Sequence, residues 1–369
     1  MSTQLAIWLI ASFTIAGILI RPFKLPEAVW AVGGAVLLVV FQLLSPEKAL
    51  RSITKGDDVY LFLTGMMLLA ETAREEKLFD WLAAHAVKMS KGSSTLLFLL
   101  IYSVGTVVTI FLSNDATTVV LTPAVAAATK TAKASNPLPF LFICAFIANA
   151  ASFVLPISNP ANLVIYGRHM PSLQQWFTRY GLPAVCSVVT TYFVLYLTQR
   201  KALQQQIEND IAIPQLAKGG KIALWGIAST SFVLLACSAF NLQLGLPTAI
   251  TGIITTAIVL IGAKKPLLSV VKGISWAVLP LVAGLFVVVA ALNETGLVSS
   301  LSHWLNHLAV QSVTKAAWIS GACVALVSNI TNNLPSGLIA GNAIQIGKVP
   351  EIVKAVSYTH LTLPTNREV

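Results

Sequence analysis

SNDATT (residues 113–118) and SNITNN (residues 328–333) are two polar clusters set inside long apolar runs, 95–128 and 314–346. Each is followed by a proline and small residues, and the two lie 215 residues apart. The correspondence continues upstream, where Gly65 answers to Gly284 and Glu75 to Glu294 at an offset of 219. Each Glu opens a segment that carries a tryptophan, Trp81 or Trp304. A polar tip repeated at this distance, within matched surroundings, describes a duplicated unit.

The solvent follows from composition. Of 369 residues, 56% are hydrophobic and 10% charged, with mean hydropathy +0.78. A soluble domain carries about a quarter charged residues. Apolar runs of about 18 residues or more are long enough to cross lipid as helix. The formal charge of +10 does not point to nucleic acid, because Lys and Arg sit in short connectors and not on one face. Cys144, Cys186, Cys237 and Cys323 lie in or beside apolar runs without CxxC spacing and read as small buried hydrophobes. The first apolar run has no basic start and no small-residue cleavage site, so it is expected to be a retained span.

Apolar runs bounded by charges, Gly and Pro predict spans at 5–20, 27–44, 59–72, 138–166, 176–198, 222–240, 247–262 and 276–293. The expected organisation is a first transport repeat, 1–198, with an interrupted hairpin at 95–128 and a broken helix at 138–166. A polar cytoplasmic connector, 199–221, leads to a second repeat, 222–355, with its hairpin at 314–346. The fold class is all-α polytopic, and charge suggests that the repeats are inverted. The 73–93 connector holds Arg74, Lys77, Lys88 and Lys91, whereas its counterpart 294–313 holds no Lys or Arg. One connector dissents: 45–58, placed outside by this scheme, carries Lys48, Arg51 and Lys55. Segments 77–90 and 297–308 read as helices lying in the two interfaces.

Unsatisfied backbone groups cost several kcal/mol in lipid, so polar breaks at membrane depth survive where they line an enclosed cavity. Three such breaks occur, at 113–118, 156–162 and 328–335. Broken helices offer free N–H ends to anionic or polar groups and free carbonyls to cations. The candidate solute-binding residues are Ser113, Asn114, Thr117, Thr118, Ser158, Asn159, Asn162, Ser328, Asn329, Thr331, Asn332 and Asn333. The competing structural reading is that these side chains glue neighbouring helices by hydrogen bonds. Asp115, a carboxylate at the first tip, is the candidate for a coupling proton; the competing reading makes it a helix cap. The repeat sets Ile330 opposite it, so the halves are chemically unequal. His303 and His307 stand four apart, as a metal pair would, but no third ligand lies near except Glu294, and no metal or cofactor is expected. GxxxxGK[ST], HExxH and GxSxG are all absent, which argues against an enzyme.

FLSNDATTVVLTPAV (111–125), NAASFVLPISNPANLVIYGRHMP (149–171) and VSNITNNLPSGLIAGNAI (327–344) resemble motifs of bacterial arsenite and antimonite efflux permeases, of the ion transporter superfamily. The resemblance runs over residues 5–355, and SNPAN is its most specific part. It implies two inverted repeats, each with a re-entrant hairpin and a broken helix, the solute lying where tips and breaks meet. It further implies export of arsenite or antimonite across the bacterial inner membrane against proton influx. The asparagines would bond the solute's hydroxyls and Asp115 would exchange protons. Some members pair with a soluble ATPase subunit, and a homodimer stays open as an assembly. The chain departs from the family at its end. The partner of 158–162 is expected near 370–380, whereas SYTHLTLPTNREV (357–369) reads as a translated sequencing adapter, making 356–369 a non-native tail and the second repeat incomplete. Two other readings stay open: a sodium-coupled dicarboxylate carrier or sodium/proton antiporter on the same scaffold, and a metal-dependent intramembrane enzyme.

Overall fold

An apolar run in lipid satisfies its own backbone by coiling into an α-helix, and the computed structural model of the chain is built that way. It describes residues 2–167, 170–208, 213–331, 333–347 and 349–361. In chain order the first helices are α1 (Thr3–Ile20), α2 (Glu27–Val40), α3 (Pro46–Thr54), α4 (Asp57–Glu75), α5 (Leu78–Met89) and α6 (Ser94–Leu112). A short α7 (Asn114–Ala116) and a wide turn (Thr117–Leu121) lead to α8 (Thr122–Thr131) and α9 (Leu138–Ala150). A 3-10 turn (Pro156–Ser158) precedes α10 (Pro160–Tyr166) and the long α11 (Leu173–Gln199). Then come α12 (Lys218–Ala239), α13 (Gly245–Ala263), α14 (Leu267–Gly273), α15 (Val278–Glu294) and α16 (Leu297–Gln311). The last are α17 (Val313–Thr331), α18 (Asn333–Gly347) and α19 (Glu351–Leu361). Among the described residues there is no β-strand, only an isolated bridge between Ser93 and Gln206.

Six of these helices, α1, α6, α11, α12, α13 and α17, are long and apolar enough to cross a membrane, and α2 and α9 are shorter apolar helices. The protein is an all-α polytopic membrane protein. Helix starts follow local chemistry. Ser2, Ser45 and Ser93 each accept a hydrogen bond from the backbone N–H three residues on, and Ser172 forms a capping box with Gln175. The connector 45–58 contains α3, whose start carries Pro46 behind the Ser45 cap. The 263–277 connector likewise contains α14. Helix α19 runs on through Leu361, with Ser357 and Tyr358 buried; residues 362–369 of the expected tail lie outside the described residues.

The chain forms two compact units. The first draws on Met1–Tyr60, Leu163–His169 and Ser275–Thr365. Its core joins Ile7 and Ala11 of α1, Leu38 of α2 and Ala49 of α3 to Val287, Val288, Ala291 and Leu292 of α15. Gly284 lets α15 lie on α2 so closely that a Cβ there would fall 2.6 Å from the Ala31 carbonyl oxygen. Within the same unit α17 and α19 pack together, and the Ser357 hydroxyl donates to Ser320 Oγ at 3.0 Å.

The second unit draws on Leu61–Asn162 and Met170–Ile274. Here α4 lies on α13, where a Cβ on Gly65 would fall 2.2 Å from the Thr248 carbonyl oxygen. Thr72 and Thr256 share a buried hydroxyl bond of 2.9 Å across the same pair. Such small-residue contacts are how helices associate without a hydrophobic drive between them. Helices α12 and α13 pack together, as do α6 and α9, the pair that carries the polar breaks.

Candidate solute-binding site

Helix α6 ends at Leu112 because Ser113 adopts φ 116° and ψ 162°, a region nearly closed to residues with a Cβ. Ending a helix leaves its last carbonyls without partners in the helix. Here side chains from elsewhere in the second unit supply them. The Ser158 hydroxyl donates to Ile110 O at 2.9 Å; the Ser231 hydroxyl, bonded at 2.8 Å to Ile227 O of its own helix, also reaches Phe111 O at 3.5 Å, while Ser113 N–H reaches Thr109 O at 3.2 Å. Thr109 and Thr117 bridge the break through a 2.8 Å bond between their hydroxyls.

Past the break, Thr118 Oγ1 donates to Asn114 O at 3.2 Å and to Asp115 O at 3.0 Å. The wide turn closes when Thr122 N–H bonds Thr117 O, five residues back. Pro123 follows, and its missing N–H disfavours a regular turn at that point. The polar tip therefore sits between a strained serine and a proline.

The second arm is the unwound stretch between α9 and α10. Pro156 and Pro160 restrict it, and Asn159 is extended, with φ −152° and ψ 127°. Asn162 ties the stretch together, its Nδ2 donating to the carbonyls of Ser152 (3.3 Å), Leu155 (3.5 Å) and Pro156 (3.2 Å). Asn159 Oδ1 accepts from Ala161 N–H at 2.9 Å and caps α10. The Ser158 hydroxyl also accepts from Leu155 N–H at 3.2 Å, and Trp176 Nε1 donates to Phe153 O at 3.1 Å.

Some of the polarity is unspent. Asn114 Oδ1, Asn149 Oδ1 and Asn159 Nδ2 are buried without a hydrogen-bond partner among the described residues. Buried polar atoms are paired in the great majority of cases, so three open amide atoms in one unit mark a place built to receive something polar. Helix α7 packs against α9 and the 3-10 turn packs against α6, which brings these two interrupted segments together. Asp115 is half-buried at the same tip, and its carboxylate makes no ion pair among the described residues.

Of the sequence-predicted residues, Ser113, Asn114, Asp115, Thr117, Thr118, Ser158, Asn159 and Asn162 thus share the second unit. Ser328, Asn329 and Asn333 belong to the first. Ser328 is buried and its hydroxyl donates to Ala325 O at 3.1 Å. Asn329 is exposed, its Nδ2 donating to the same carbonyl at 2.7 Å. Asn333 is buried and its Oδ1 has no partner among the described residues. Asn332 and the Thr331 side chain lie outside the described residues.

Sequence reasoning missed Thr109, Asn149, Ser152 and Ser231. Asn149 carries a readable signal, an amide 10 residues ahead of Asn159 inside an apolar run. Ser231 carries none, since a lone serine in the α12 run shows its purpose only against the end of α6. Among the described residues there is no group of three or more His, Cys, Asp or Glu placed to hold a metal, so His303 and His307 have no third ligand there. All four cysteines are free thiols, with Cys144 buried and Cys186 and Cys323 exposed.

Several known proteins are similar to this chain. An uncharacterized transporter of Synechocystis sp. is 21% identical over 324 residues, covering 86% of this chain and 72% of its own length. The arsenical pump membrane protein of Escherichia coli is 28% identical over 292 residues, and that of Yersinia enterocolitica 28% over 299 residues; each alignment covers 76% of this chain and 67% of the relative. The family model described as citrate transporter matches residues 9–354. With broken helices, a buried amide cluster and a match along nearly its whole length, the chain belongs to the citrate transporter family of multi-pass membrane transporters.

Proposed function

We propose that the protein exports arsenite or antimonite from the bacterial cell across its inner membrane, in exchange for protons, by alternating access. The observation that carries this reading is the cluster in the second unit. Two unpaired acceptors, Asn114 Oδ1 and Asn149 Oδ1, and one unpaired donor, Asn159 Nδ2, suit a small neutral acid bearing several hydroxyls. The relatives named as arsenical pump membrane proteins support the same choice of solute. In this reading Asn114, Asn159 and Asn162, with Ser113, Thr117, Thr118 and Ser158, are the first repeat's solute-binding residues. Ser328, Asn329, Thr331, Asn332 and Asn333 are those of the second repeat.

Asp115 carries the proton. Neutralised, its side chain crosses a dry barrier at far lower cost than the carboxylate does, so protonation and solute release can alternate. The cysteines take no part, because arsenic–thiolate bonds would hold the solute too tightly to release it. A homodimer, or pairing with a soluble ATPase subunit, would alter assembly or energy supply without changing this site.

A second reading, a sodium-coupled carboxylate carrier, is favoured by the description of the family model. Everted vesicles separate the two. Arsenite accumulation driven by an acid-inside pH gradient, and unaffected by sodium, is the expected result. Sodium-dependent citrate or dicarboxylate movement, with no arsenite accumulation, would instead establish the second reading.

A further inference from the structure

Helices α1 to α4 correspond to α12 to α15 at an offset of 217 to 219 residues, so that Ala31 answers to Thr248, Lys48 to Lys265, Gly65 to Gly284 and Glu75 to Glu294. The contacts cross between the halves of the sequence. Gly284 of α15 lies on Ala31 of α2, and Gly65 of α4 lies on Thr248 of α13. The fourth helix of each half therefore packs on the second helix of the other.

Two ion pairs follow the same exchange. Lys48 Nζ lies 2.6 Å from Glu294 Oε2, and Lys265 Nζ lies 2.7 Å from Glu76 Oε1, one residue beyond the position equivalent to Glu294. We propose that these pairs are equivalent latches, each fastening the connector after one half's second helix to the C-terminal end of the other half's fourth helix, and that Lys48–Glu294 is the one that opens.

The chemistry of the two latches is the same and their surroundings are not. Lys48 and Glu294 are 55% and 47% exposed, so water solvates both charges when the pair parts and little is lost. Glu76 is only 4% exposed, and separating it from Lys265 strands a charge away from water. The Lys48–Glu294 pair also forms part of the wall of a cavity of about 710 Å³ in the first unit, with Arg51, Lys55, Asn293 and Gln345. Parting that pair loosens one wall of the cavity and widens access to its lining, while the buried pair keeps α4 fixed to the connector before α14.

The test uses full-length protein with its four cysteines replaced and Ala290, on the cavity wall, changed to Cys. The readout is the rate of labelling by a bulky, charged maleimide. Glu294→Gln is expected to raise the rate several-fold, and the swap Lys48→Glu with Glu294→Lys to return it to within about two-fold of the parent. Raising NaCl to about 0.5 M should speed labelling of the parent without any substitution in the pair, because salt screens exposed charges. Glu76→Gln should leave the rate unchanged. Rates unmoved by both Glu294→Gln and salt, or moved equally by Glu76→Gln, overturn the proposal.

Discussion

The two interrupted stretches begin with the same dipeptide, Ser-Asn, and use it in opposite ways. In the first, Ser113 leaves the helix altogether, and the freed carbonyls of α6 are taken by Ser158 and Ser231 from distant parts of the chain. In the second, α17 runs unbroken through Ser328 and Asn329 to Thr331, and both side chains turn back to Ala325 O of their own helix. At the first tip the preceding helix end receives hydrogen bonds from other segments; at the second the serine and asparagine bond within their own turn. A duplicated motif thus fixes where polar groups occur, while the partners that reach the helix end decide whether the backbone breaks there. The unequal pair Asp115 and Ile330 fits this division, since the carboxylate is half-buried at the broken tip and the isoleucine is 62% exposed on the continuous helix.

The sharpest way to break this comparison is at the unequal pair. Asp115→Asn should reduce proton-driven arsenite accumulation in vesicles to background, and adding Ile330→Asp should not restore it. Accumulation at the parent's rate in Asp115→Asn would remove the proton role from the first tip. Next in size is Asn162→Ala, which removes the side-chain donor to the Ser152 and Pro156 carbonyls while Leu155 O keeps the Ser158 N–H, and should cost about 2–4 kcal/mol, read as a lower unfolding midpoint in detergent.

Ser113→Gly and Ser328→Gly should then move stability in opposite directions. Glycine relieves the strained backbone at the first position, worth about 1 kcal/mol of gain, and weakens an intact helix at the second by about the same amount. Like signs for the two would contradict the contrast between a helix that ends at its serine and one that continues through it. The smallest effect belongs to Asn329→Ala, an exposed side chain bonded within its own turn, for which a stability change within about 0.5 kcal/mol is expected in thermal unfolding.

Much of this architecture was legible in the residues, because lipid enforces a simple rule on apolar runs. The spans at 5–20 and 176–198 correspond to α1 and α11 to within a few residues, and the 138–166 run divides at Pro156 and Pro160. The segments 77–90 and 297–308, expected as helices in the interfaces, are the helices α5 and α16. Less legible were α3 and α14, short helices in polar connectors where neither length nor periodicity accumulates. In the site, the tip and break residues announced themselves by polarity inside apolar runs. Their division of labour did not: Asn162 commits its amide nitrogen to bracing its own loop, whereas Asn159 has an amide nitrogen to spare. That difference depends on which carbonyls the fold brings within about 3 Å, which no spacing along the chain reveals.

The borrowed caps at the end of α6 have a consequence for biogenesis. Ile110 O waits for a serine 48 residues downstream, and Phe111 O for one 120 residues downstream. At translation rates of about 5–20 residues per second, the second donor emerges roughly 6–24 s after the carbonyl it serves. Until then the last turn of that segment must be wetted or sheltered by the insertion machinery, so the transporter's central break is completed late, by a residue from the far half of the nascent chain.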